Sequence, residues 1–581
     1  MPDALAEAAV PARGAAVQTR AWTWRQAALV FALALPPRLA HWWFVRDTPL
    51  ADQYVPDLSA YLYAASRLLD GAYLFREPMV MSPGYALFLA PLHLLVGPDI
   101  GFFVLVNAVL DAGSAALCAG LAARLAAQGP ADGLDGRQTV RRAGLAAGIL
   151  YALCGPLLFY ALLPLGEGPA VFCLLLGVTL LLRSGAVPAN GGRTQTDRTV
   201  AKQAQADRTV AKQALAEQAP AEPGGALAAW LSGPLLALAS LMRPNMAPAA
   251  LLAVAAWALC ARWRGNGRAM GAVLRCVLGF VLALAPFLLH NAALAGRASP
   301  FGFQGGFTLY SGNHHGASGV GDALPGFDNT PYRVVVQAWR AAEAETGREL
   351  TLAEADAWWY GKTWRFFAGH PAEAVGLMGR KALLLVNNAG YDATANMAFC
   401  ARFSPVPGAL PLPVGLVLAL GAAGLALCWR RGPESAALAV LLLGQAALVL
   451  LFQVTPRYRA VLLPLALVFA GVACAELPGL LRSAARGGRP KHALAALFFG
   501  ALVLGLSFVP LRCIVHKADM TAQEHARLAR FHLLRGPQAV AAREYRAALA
   551  LGGFDARTRR ELEAGLAASL RLSGQDALPR P

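Results

Sequence analysis

Long apolar runs that alternate with loops of two opposite kinds, arginine-rich or acidic, constrain this chain more than any other feature. Hydrophobic residues make up 57% of the 581 residues and charged residues only 15%, against roughly 25% in an ordinary soluble domain. About 20 apolar residues are needed to cross the roughly 30 Å hydrocarbon core of a bilayer. The sequence therefore predicts an all-α polytopic membrane protein.

Run length predicts about eleven transmembrane helices. These runs are 26–46, 101–123, 143–163, 168–183, 226–242, 246–261, 271–293, 409–428, 435–454, 460–480 and 492–511. Two weaker runs, 84–97 and 376–390, are shorter or are interrupted by Arg380 and Lys381. They are either short spans or amphipathic helices that lie along the membrane interface.

Positive charge decides the orientation, because cytoplasmic loops collect Lys and Arg. If neither weak run crosses, six basic clusters fall on one side: Arg20 and Arg25; Arg124, Arg137, Arg141 and Arg142; the loop after Arg183; Arg262, Arg264 and Arg268; Arg430 and Arg431; and Arg482, Arg486, Arg489 and Lys491. We therefore predict a cytoplasmic N-terminus and a C-terminus outside. The net charge of +17 then reflects topology and contact with membrane lipid, and no nucleic-acid partner is predicted.

The chain divides by composition into a membrane domain with flanking and inserted segments. We predict a cytoplasmic tail at 1–24, a transmembrane domain at 25–511 with outer loops 47–100 and 294–408, a low-complexity cytoplasmic loop at 184–225, and a helical tail at 512–581 on the outer face. The cytoplasmic loop contains an eight-residue duplication, at 197–204 and 207–214. Function is expected in the large outer loops, because long loops on a rigid scaffold usually carry it.

The C-terminal segment changes character and reads as soluble helices. Apolar residues recur at helical spacing through Leu528, Tyr545 and Leu562, separated by Gly-Pro and Gly-Gly turns. The pattern resembles a tetratricopeptide unit, a helix pair of about 34 residues. So few repeats bury little surface alone, so we expect this tail to pack on the membrane domain or on a partner. A capping tail without a binding task is the alternative.

Two acids lie at the predicted outer face. Asp57 follows the first span, and Glu167 follows the third. A carboxylate in an apolar setting beside the membrane can be tuned for proton transfer, and acids within apolar segments usually face an interior or a water-filled cleft. For Asp57, a plain helix N-cap is the simpler alternative.

Three arginines join them at outer turns, against the general rule for positive residues. Arg243 lies between the fifth and sixth spans, and Arg457 and Arg459 lie between the ninth and tenth. Arginine suits phosphate, because its planar fork donates two parallel charge-assisted hydrogen bonds. We predict that the three bind an anionic phosphate; the alternative is pairing with lipid headgroups or with the two acids.

Further candidate substrate-contacting residues surround these motifs. They are Tyr61, Tyr85, Asn245, Gly312, Asn313 and Tyr458. His314 and His315 are adjacent, but a metal site needs a third ligand at diagnostic spacing, so no metal site is predicted.

Six sequence elements, taken in order, resemble the bacterial GT-C glycosyltransferases, in particular the family 39 protein mannosyltransferases and the lipid A aminoarabinose transferases. The resemblance covers roughly residues 25–480. Its elements are the first outer loop with Asp57, Ser82-Pro83-Gly84-Tyr85, the element with Pro164 and Glu167, Arg243-Pro244-Asn245, Ser311-Gly312-Asn313 and Arg457-Tyr458-Arg459.

The resemblance implies an enzyme of a bacterial inner membrane that transfers a sugar, with inversion, from a polyprenyl-phosphate carrier to a protein, lipid or glycan acceptor at the periplasmic or extracellular face. It implies Asp57 as catalytic base, Glu167 as a second acid, and the arginines as ligands of the carrier phosphate. Family members often carry two adjacent acids in the first loop, whereas Leu58 follows Asp57, which leaves metal dependence open.

Two other functions fit the same charges. A transporter or flippase for an anionic lipid-linked substrate would also line its path with acids and arginines, although no internal repeat of the kind common in transporters is evident. A non-catalytic assembly factor that docks through the helical tail is a further alternative.

Overall fold

The structure is a computed structural model in which every assigned element is helical. It describes residues 22–52, 56–72, 74, 76–129, 133–185, 223–263, 266–320, 324, 327, 331–388, 395–429, 431–485, 491–510, 517–554 and 556–574. No strand is assigned within these ranges, so the all-α prediction is confirmed. Most of the predicted tail 1–24 and of the predicted loop 184–225, including its duplication, lies outside the described residues.

The helices follow one another with short connections. In chain order they are α1 (Trp24–Val45), α2 (Pro56–Leu69), α3 (Gly84–Val96), α4 (Ile100–Ala126), α5 (Gly133–Ala152), α6 (Gly155–Leu162), α7 (Glu167–Ser184), α8 (Pro223–Met242), α9 (Met246–Trp263), α10 (Gly267–Ala295), α11 (Gly305–Ser311), α12 (Pro331–Thr346), α13 (Leu352–Gly369), α14 (Pro371–Val386), α15 (Met397–Cys400), α16 (Val406–Ala409), α17 (Val414–Cys428), α18 (Pro433–Leu451), α19 (Pro456–Ala460), α20 (Leu462–Ala485), α21 (Lys491–Ser507), α22 (Lys517–Arg535), α23 (Gln538–Leu551) and α24 (Ala556–Leu572).

Eight of the described helices are long and apolar enough to cross a membrane, or nine if α5 and α6, which are bent by 65° at their junction, form one span. The eight are α1, α4, α7, α8, α9, α10, α18 and α20. All nine coincide with predicted runs. The other two predicted runs correspond to the apolar helices α17 and α21, of 15 and 17 residues, so the count of eleven stays a prediction.

The two weak runs form helices that are not among these candidate spans. At 1.5 Å per residue, the 13 residues of α3 reach about 20 Å, which is short of the roughly 30 Å of a bilayer core. The 16 residues of α14 include Lys381, whose side chain is fully buried. Both helices lie at the same end of the bundle as the acids and arginines described below.

Close backbone approach holds the spans together at glycines. A Cβ atom on Gly233 of α8 would lie 2.2 Å from the Cys276 carbonyl oxygen of α10, and one on Gly424 of α17 would lie 1.9 Å from the Phe469 carbonyl oxygen of α20. No side chain fits at either position. Small residues at helix contacts are typical of membrane bundles, because dispersion contacts replace the hydrophobic effect there.

The ends of α7 and α18 define a far end of the bundle. Arg124 of α4 donates to the Leu182 carbonyl oxygen near the end of α7 (2.9 Å) and pairs with Glu434 in the first turn of α18. Arg431 pairs with Glu476 of α20. These basic residues therefore lie at the opposite end from Glu167, which begins α7.

The C-terminal helices α22, α23 and α24 pack on one another around Ala529, Tyr545 and Leu562. They also contact the membrane domain. The backbone N–H of Asn396 donates to the buried Glu524 carboxylate (2.7 Å), and Arg402 pairs with Glu544 (3.0 Å). The tail is therefore docked on the segment that precedes α16.

Candidate functional site

Two acids and two arginines from distant parts of the chain meet at one end of the bundle. Arg457 donates from Nη1 to Asp57 Oδ2 (2.6 Å), and its Nε lies 3.2 Å from Glu167 Oε1. Arg243 forms an ion pair with the same Glu167 oxygen. Glu167 thus bridges both guanidinium groups, and Asp57 pairs with the Nη1 atom of Arg457. We call these four residues the arginine–acid cluster.

Local backbone features place each member. Glu167 begins α7, which residues 163–166 connect to α6. A Cβ atom on Gly168 would lie 2.3 Å from the Ala161 carbonyl oxygen, so the close packing of α7 on α6 requires glycine there. A carboxylate in the first turn also faces the positive end of the helix dipole.

The arginines lie on a turn and on a short helix. Arg243 follows the last residue of α8, and its backbone N–H donates to the Ala239 carbonyl oxygen (2.9 Å). The Thr455 hydroxyl accepts from the Tyr458 N–H (3.2 Å), which caps α19 and fixes the turn that presents Arg457. Proline at the first helical position suits this cap.

Asp57 lies in the first turn of α2 and is the second residue of that helix. Its carboxylate engages Arg457 across 400 positions of sequence. The N-cap alternative therefore does not describe its position. The alternative for the arginines, pairing with the two acids, matches the observed contacts of Arg243 and Arg457.

The members of the cluster differ in how deeply their side chains are buried. The side chain of Glu167 is 2% exposed, whereas those of Arg457, Arg243 and Asp57 are 11%, 14% and 21% exposed. Burial, and next the neighbouring positive charge of Arg457, lower the pKa of Arg243. The Glu167 carboxylate, which contacts both guanidinium groups, offsets the repulsion between them.

Aromatic rings line the cluster. The ring of Tyr458 lies 5.4 Å from the Arg457 guanidinium carbon and 5.7 Å from that of Arg243, within cation–π range. Tyr61 of α2 packs edge-to-face on Tyr85 with ring centroids 5.1 Å apart. Burial raises the pKa of Tyr61 to about 12, so its hydroxyl stays neutral at physiological pH.

Of the predicted substrate residues, Gly312 and Asn313 are engaged elsewhere. The Asn313 side-chain amide donates to the carbonyl oxygens of Leu309 (2.7 Å) and Leu451 (2.8 Å), and its oxygen accepts from Lys381 (2.7 Å). A Cβ atom on Gly312 would lie 2.1 Å from the Phe452 carbonyl oxygen. This loop is packed against the end of α18.

Arg459 makes structural contacts through its side chain, and Asn245 makes one through its backbone. Arg459 donates to the carbonyl oxygens of Leu384 (3.0 Å) and Asn387 (2.5 Å) at the end of α14. The Asn245 carbonyl oxygen accepts from the buried Gln445 of α18 (3.3 Å). The structure therefore brings Asp57, Glu167, Arg243, Arg457, Tyr61 and Tyr458 together and places Arg459 apart from them.

Sequence reasoning missed Gln453 and Lys381. Gln453 donates to the Tyr458 hydroxyl (3.3 Å) and accepts from Ser311 (3.5 Å), so it links the loop of Gly312 to the cluster. Lys381 donates to the Phe452 carbonyl oxygen (2.8 Å). A polar residue just before the Pro456-Arg457 turn was the available signal for Gln453.

A second buried charge network lies among the spans. Arg38 of α1 donates from Nε to Asp111 of α4 (2.8 Å), and the Tyr151 hydroxyl donates to the other Asp111 oxygen (2.7 Å). A small cavity of about 10 Å³ lies between this network and the arginine–acid cluster, and Asp111 and Glu167 both line it. In the part of the chain that the structure describes, no three metal-ligating side chains come together.

Comparison with known protein families finds no match to the sequence, and comparison with curated protein sequences finds none. Two solved structures are similar in fold at low identity, and both are oligosaccharyltransferases from Archaeoglobus fulgidus. The apo crystal structure has 12% identity and a TM-score of 0.42, and AglB in complex with an inhibitory peptide and a dolichol-phosphate has 13% and 0.38. Each covers 90% of this chain, which spans 59% of each of those chains.

Proposed function

We propose that this protein is a membrane glycosyltransferase that moves a sugar from a polyprenyl-phosphate carrier to a protein, lipid or glycan acceptor. The observation that carries this proposal is the arginine–acid cluster: Arg457 contacts the carboxylates of Asp57 and Glu167, and Arg243 contacts Glu167, at one end of a membrane bundle. Partial exposure of Asp57 and Arg243 leaves the cluster open to a ligand. A phosphate next to a general base is what transfer from a phosphate carrier requires.

In the proposed mechanism, an acceptor hydroxyl or amine attacks the anomeric carbon from the face opposite the phosphate. Asp57 takes the acceptor proton. The bond between the anomeric carbon and the phosphate oxygen breaks, and the phosphate leaves with the electron pair, which inverts the anomeric configuration. Arg457 and Arg243 stabilise the negative charge that grows on the phosphate, in surroundings where water is scarce.

Glu167 has a positioning role in this mechanism. It contacts both guanidinium groups and is the most buried member of the cluster. A fixed counter-ion of this kind offsets the repulsion between the two guanidinium groups, so that they can stay close together. Tyr458, together with Tyr61, which packs on the fully buried Tyr85, forms the wall beside which the sugar phosphate would lie.

We further propose that the site faces the periplasmic or extracellular side of a bacterial inner membrane, with about eleven spans and a cytoplasmic N-terminus. The far end of the bundle, opposite the cluster, holds Arg124 and Arg431, and basic residues favour the cytoplasmic side. The docked C-terminal helices would then be a tetratricopeptide-like unit on the outer face, with domain limits as predicted above.

A transport function is less well supported by the interior of the bundle. The Arg38–Asp111 pair, which would have to serve as a charged step on a path across the membrane, is at most 1% exposed, and both residues are hydrogen-bonded within the protein. Charges on a substrate path usually face a water-filled cavity.

Purified protein incubated with a panel of polyprenyl-phosphate sugars and a membrane extract that supplies acceptors tests the proposal. We expect free polyprenyl phosphate, detected by mass spectrometry, with at least one sugar, and none with the Asp57→Asn variant. No release with any sugar, together with flux of a labelled carrier across proteoliposomes, would replace the enzyme by a transporter.

A further inference from the structure

The two acids of the arginine–acid cluster hold their arginines in different ways. Glu167 is enclosed by protein, lies at the start of a membrane helix and contacts both Arg243 and Arg457. Asp57 contacts Arg457 alone among the arginines of the cluster and is about ten times more exposed, at 21% against 2%. An ion pair at a partly exposed site is weaker than a buried one and can be replaced by a solute anion.

The position of each acid decides which one an incoming anion can displace. Glu167 is 2% exposed and lies in the first turn of α7, where a Cβ atom on the next residue, Gly168, would lie 2.3 Å from the Ala161 carbonyl oxygen, so its surroundings are closely packed. Asp57 is carried by α2, a helix of 14 residues outside the candidate spans. Rotation of its side chain toward solvent needs no movement of a membrane helix.

Charge balance limits what can bind beside Arg457. Two carboxylates already neutralise the two guanidinium groups, so an additional anion at the same place would carry uncompensated charge into a partly buried site. A polyprenyl-phosphate sugar is a phosphodiester with a single negative charge. Exchange of one carboxylate for one phosphodiester on Arg457 leaves the total unchanged.

We infer that the Asp57 carboxylate occupies the place on Arg457 that the carrier phosphate takes, and that carrier binding thereby releases Asp57 to act as the base while Glu167 keeps both arginines in position. This inference rests on the proposed glycosyltransferase function. Asp57 is then held away from catalysis until the donor is bound. The site thereby couples donor binding to the availability of its base.

The same exchange accounts for product release. Transfer moves the acceptor proton to Asp57 and leaves a phosphate monoester that can carry a second negative charge. When Asp57 gives its proton to water, its carboxylate again competes for Arg457. The competition opposes retention of the polyprenyl phosphate product on the two arginines.

Binding of a polyprenyl phosphate to detergent-solubilised protein, followed by calorimetry, tests the exchange with three variants. Asp57→Asn and Asp57→Ala remove the competing charge, so we expect each to bind the carrier about tenfold more tightly than the wild type, as expected for one partly exposed charge-assisted hydrogen bond. Asp52→Asn removes an acid of the same loop that pairs with Arg535 instead, so its affinity should equal that of the wild type.

Equal or weaker carrier binding by both Asp57 variants would overturn the exchange, even if their turnover is lost, and the glycosyltransferase proposal would then stand without it. Absence of carrier binding to the wild type would overturn both. Tighter binding by Asp57→Asn combined with lost turnover supports both. A plain catalytic base would not produce this combination, since loss of such a base leaves donor affinity unchanged.

Discussion

The arginine–acid cluster and the Arg38–Asp111 network are two arginine–carboxylate groups of the same chemistry on either side of one cavity. In the network, Arg38 donates to the Asp111 carboxylate and to the carbonyl oxygens of Ala34, Ala152 and Tyr151. In the cluster, the arginines have carboxylates and the Tyr458 ring as neighbours, and two of the four members, Asp57 and Arg243, are partly exposed.

The difference teaches how to tell a structural charge from a functional one. Backbone carbonyl oxygens cannot move away, so an arginine that donates to them is fixed and has no place for a ligand. A carboxylate on a mobile side chain can be exchanged for another anion. Four experiments test this distinction and the related cost of burying the Asp356 carboxylate.

The first concerns Asp57, the proposed base. Its loss should abolish activity and leave the fold intact. Asparagine has the same shape but cannot take a proton, so Asp57→Asn should lower turnover about 10²- to 10⁴-fold. Thermal stability in detergent should change little, because the side chain is partly exposed. Turnover of Asp57→Asn equal to that of the Asp52→Asn control would remove Asp57 from the role of base.

The second concerns the network and should have the opposite outcome. Arg38→Leu leaves the buried Asp111 without its cation, which should cost about 3–5 kcal/mol in the free energy of unfolding. In the double variant Arg38→Leu/Asp111→Leu most of this stability should return. Thermal unfolding in detergent measures both, and turnover per folded molecule should stay near that of the wild type; its loss in the double variant would assign the network to catalysis.

The third compares the two arginines of α19. Arg457→Lys keeps the charge but loses the planar fork that reaches both acids, so kcat/KM should fall about 10- to 100-fold. Arg459→Lys should affect stability more than activity, because Arg459 donates to the carbonyl oxygens of Leu384 and Asn387. Equal loss of activity in the two variants would contradict the division between them.

The fourth concerns Asp356 of α13. Burial raises its pKa to about 6, partly offset by a hydrogen bond from the Gly306 N–H. The folded protein therefore binds more protons than the unfolded chain between about pH 4 and pH 6, and the stability from this group is lost as pH rises through that window.

Asparagine keeps the acceptor oxygen and is neutral at every pH. We expect Asp356→Asn to raise the free energy of unfolding by roughly 1–2 kcal/mol at pH 8 and to have almost no effect at pH 4. The gain at pH 8 is smaller than the whole pKa shift from 3.8 to about 6 would give at 1.36 kcal/mol per pKa unit. Melting temperatures at the two pH values measure this. A gain of the same size at both would rule out ionisation as its cause.

Some of the site could be predicted from sequence because charge is costly in a membrane protein. Arg243 and Arg457 stand out as positive residues on the wrong side of the expected topology, and Asp57 and Glu167 stand out as acids beside apolar runs. Arg459 satisfies the same rule. Residues two apart on a helix point about 200° away from each other, so a short helix can present only one of the two arginines to the cluster.

Other features depend on contacts that no local pattern contains. Lys381 reads as an interruption of a weak apolar run, yet it is buried on carbonyl oxygens at the end of α18, about seventy positions further along the chain. Besides the Asn313 side-chain oxygen, it donates to backbone atoms, which leave no trace in residue types. Only the three-dimensional position of the end of α18 shows that Lys381 caps that helix.

The long separation between Asp57 and Arg457 affects how the protein is made. A ribosome completes the chain from its N-terminus, so Asp57 and Glu167 enter the membrane system well before the segment that carries Arg457 exists. Until then, Arg243 is the only guanidinium of the final group that has been synthesised. The nascent protein therefore has incompletely neutralised acids through most of its insertion, and the arginine–acid cluster is completed only when the last quarter of the chain arrives.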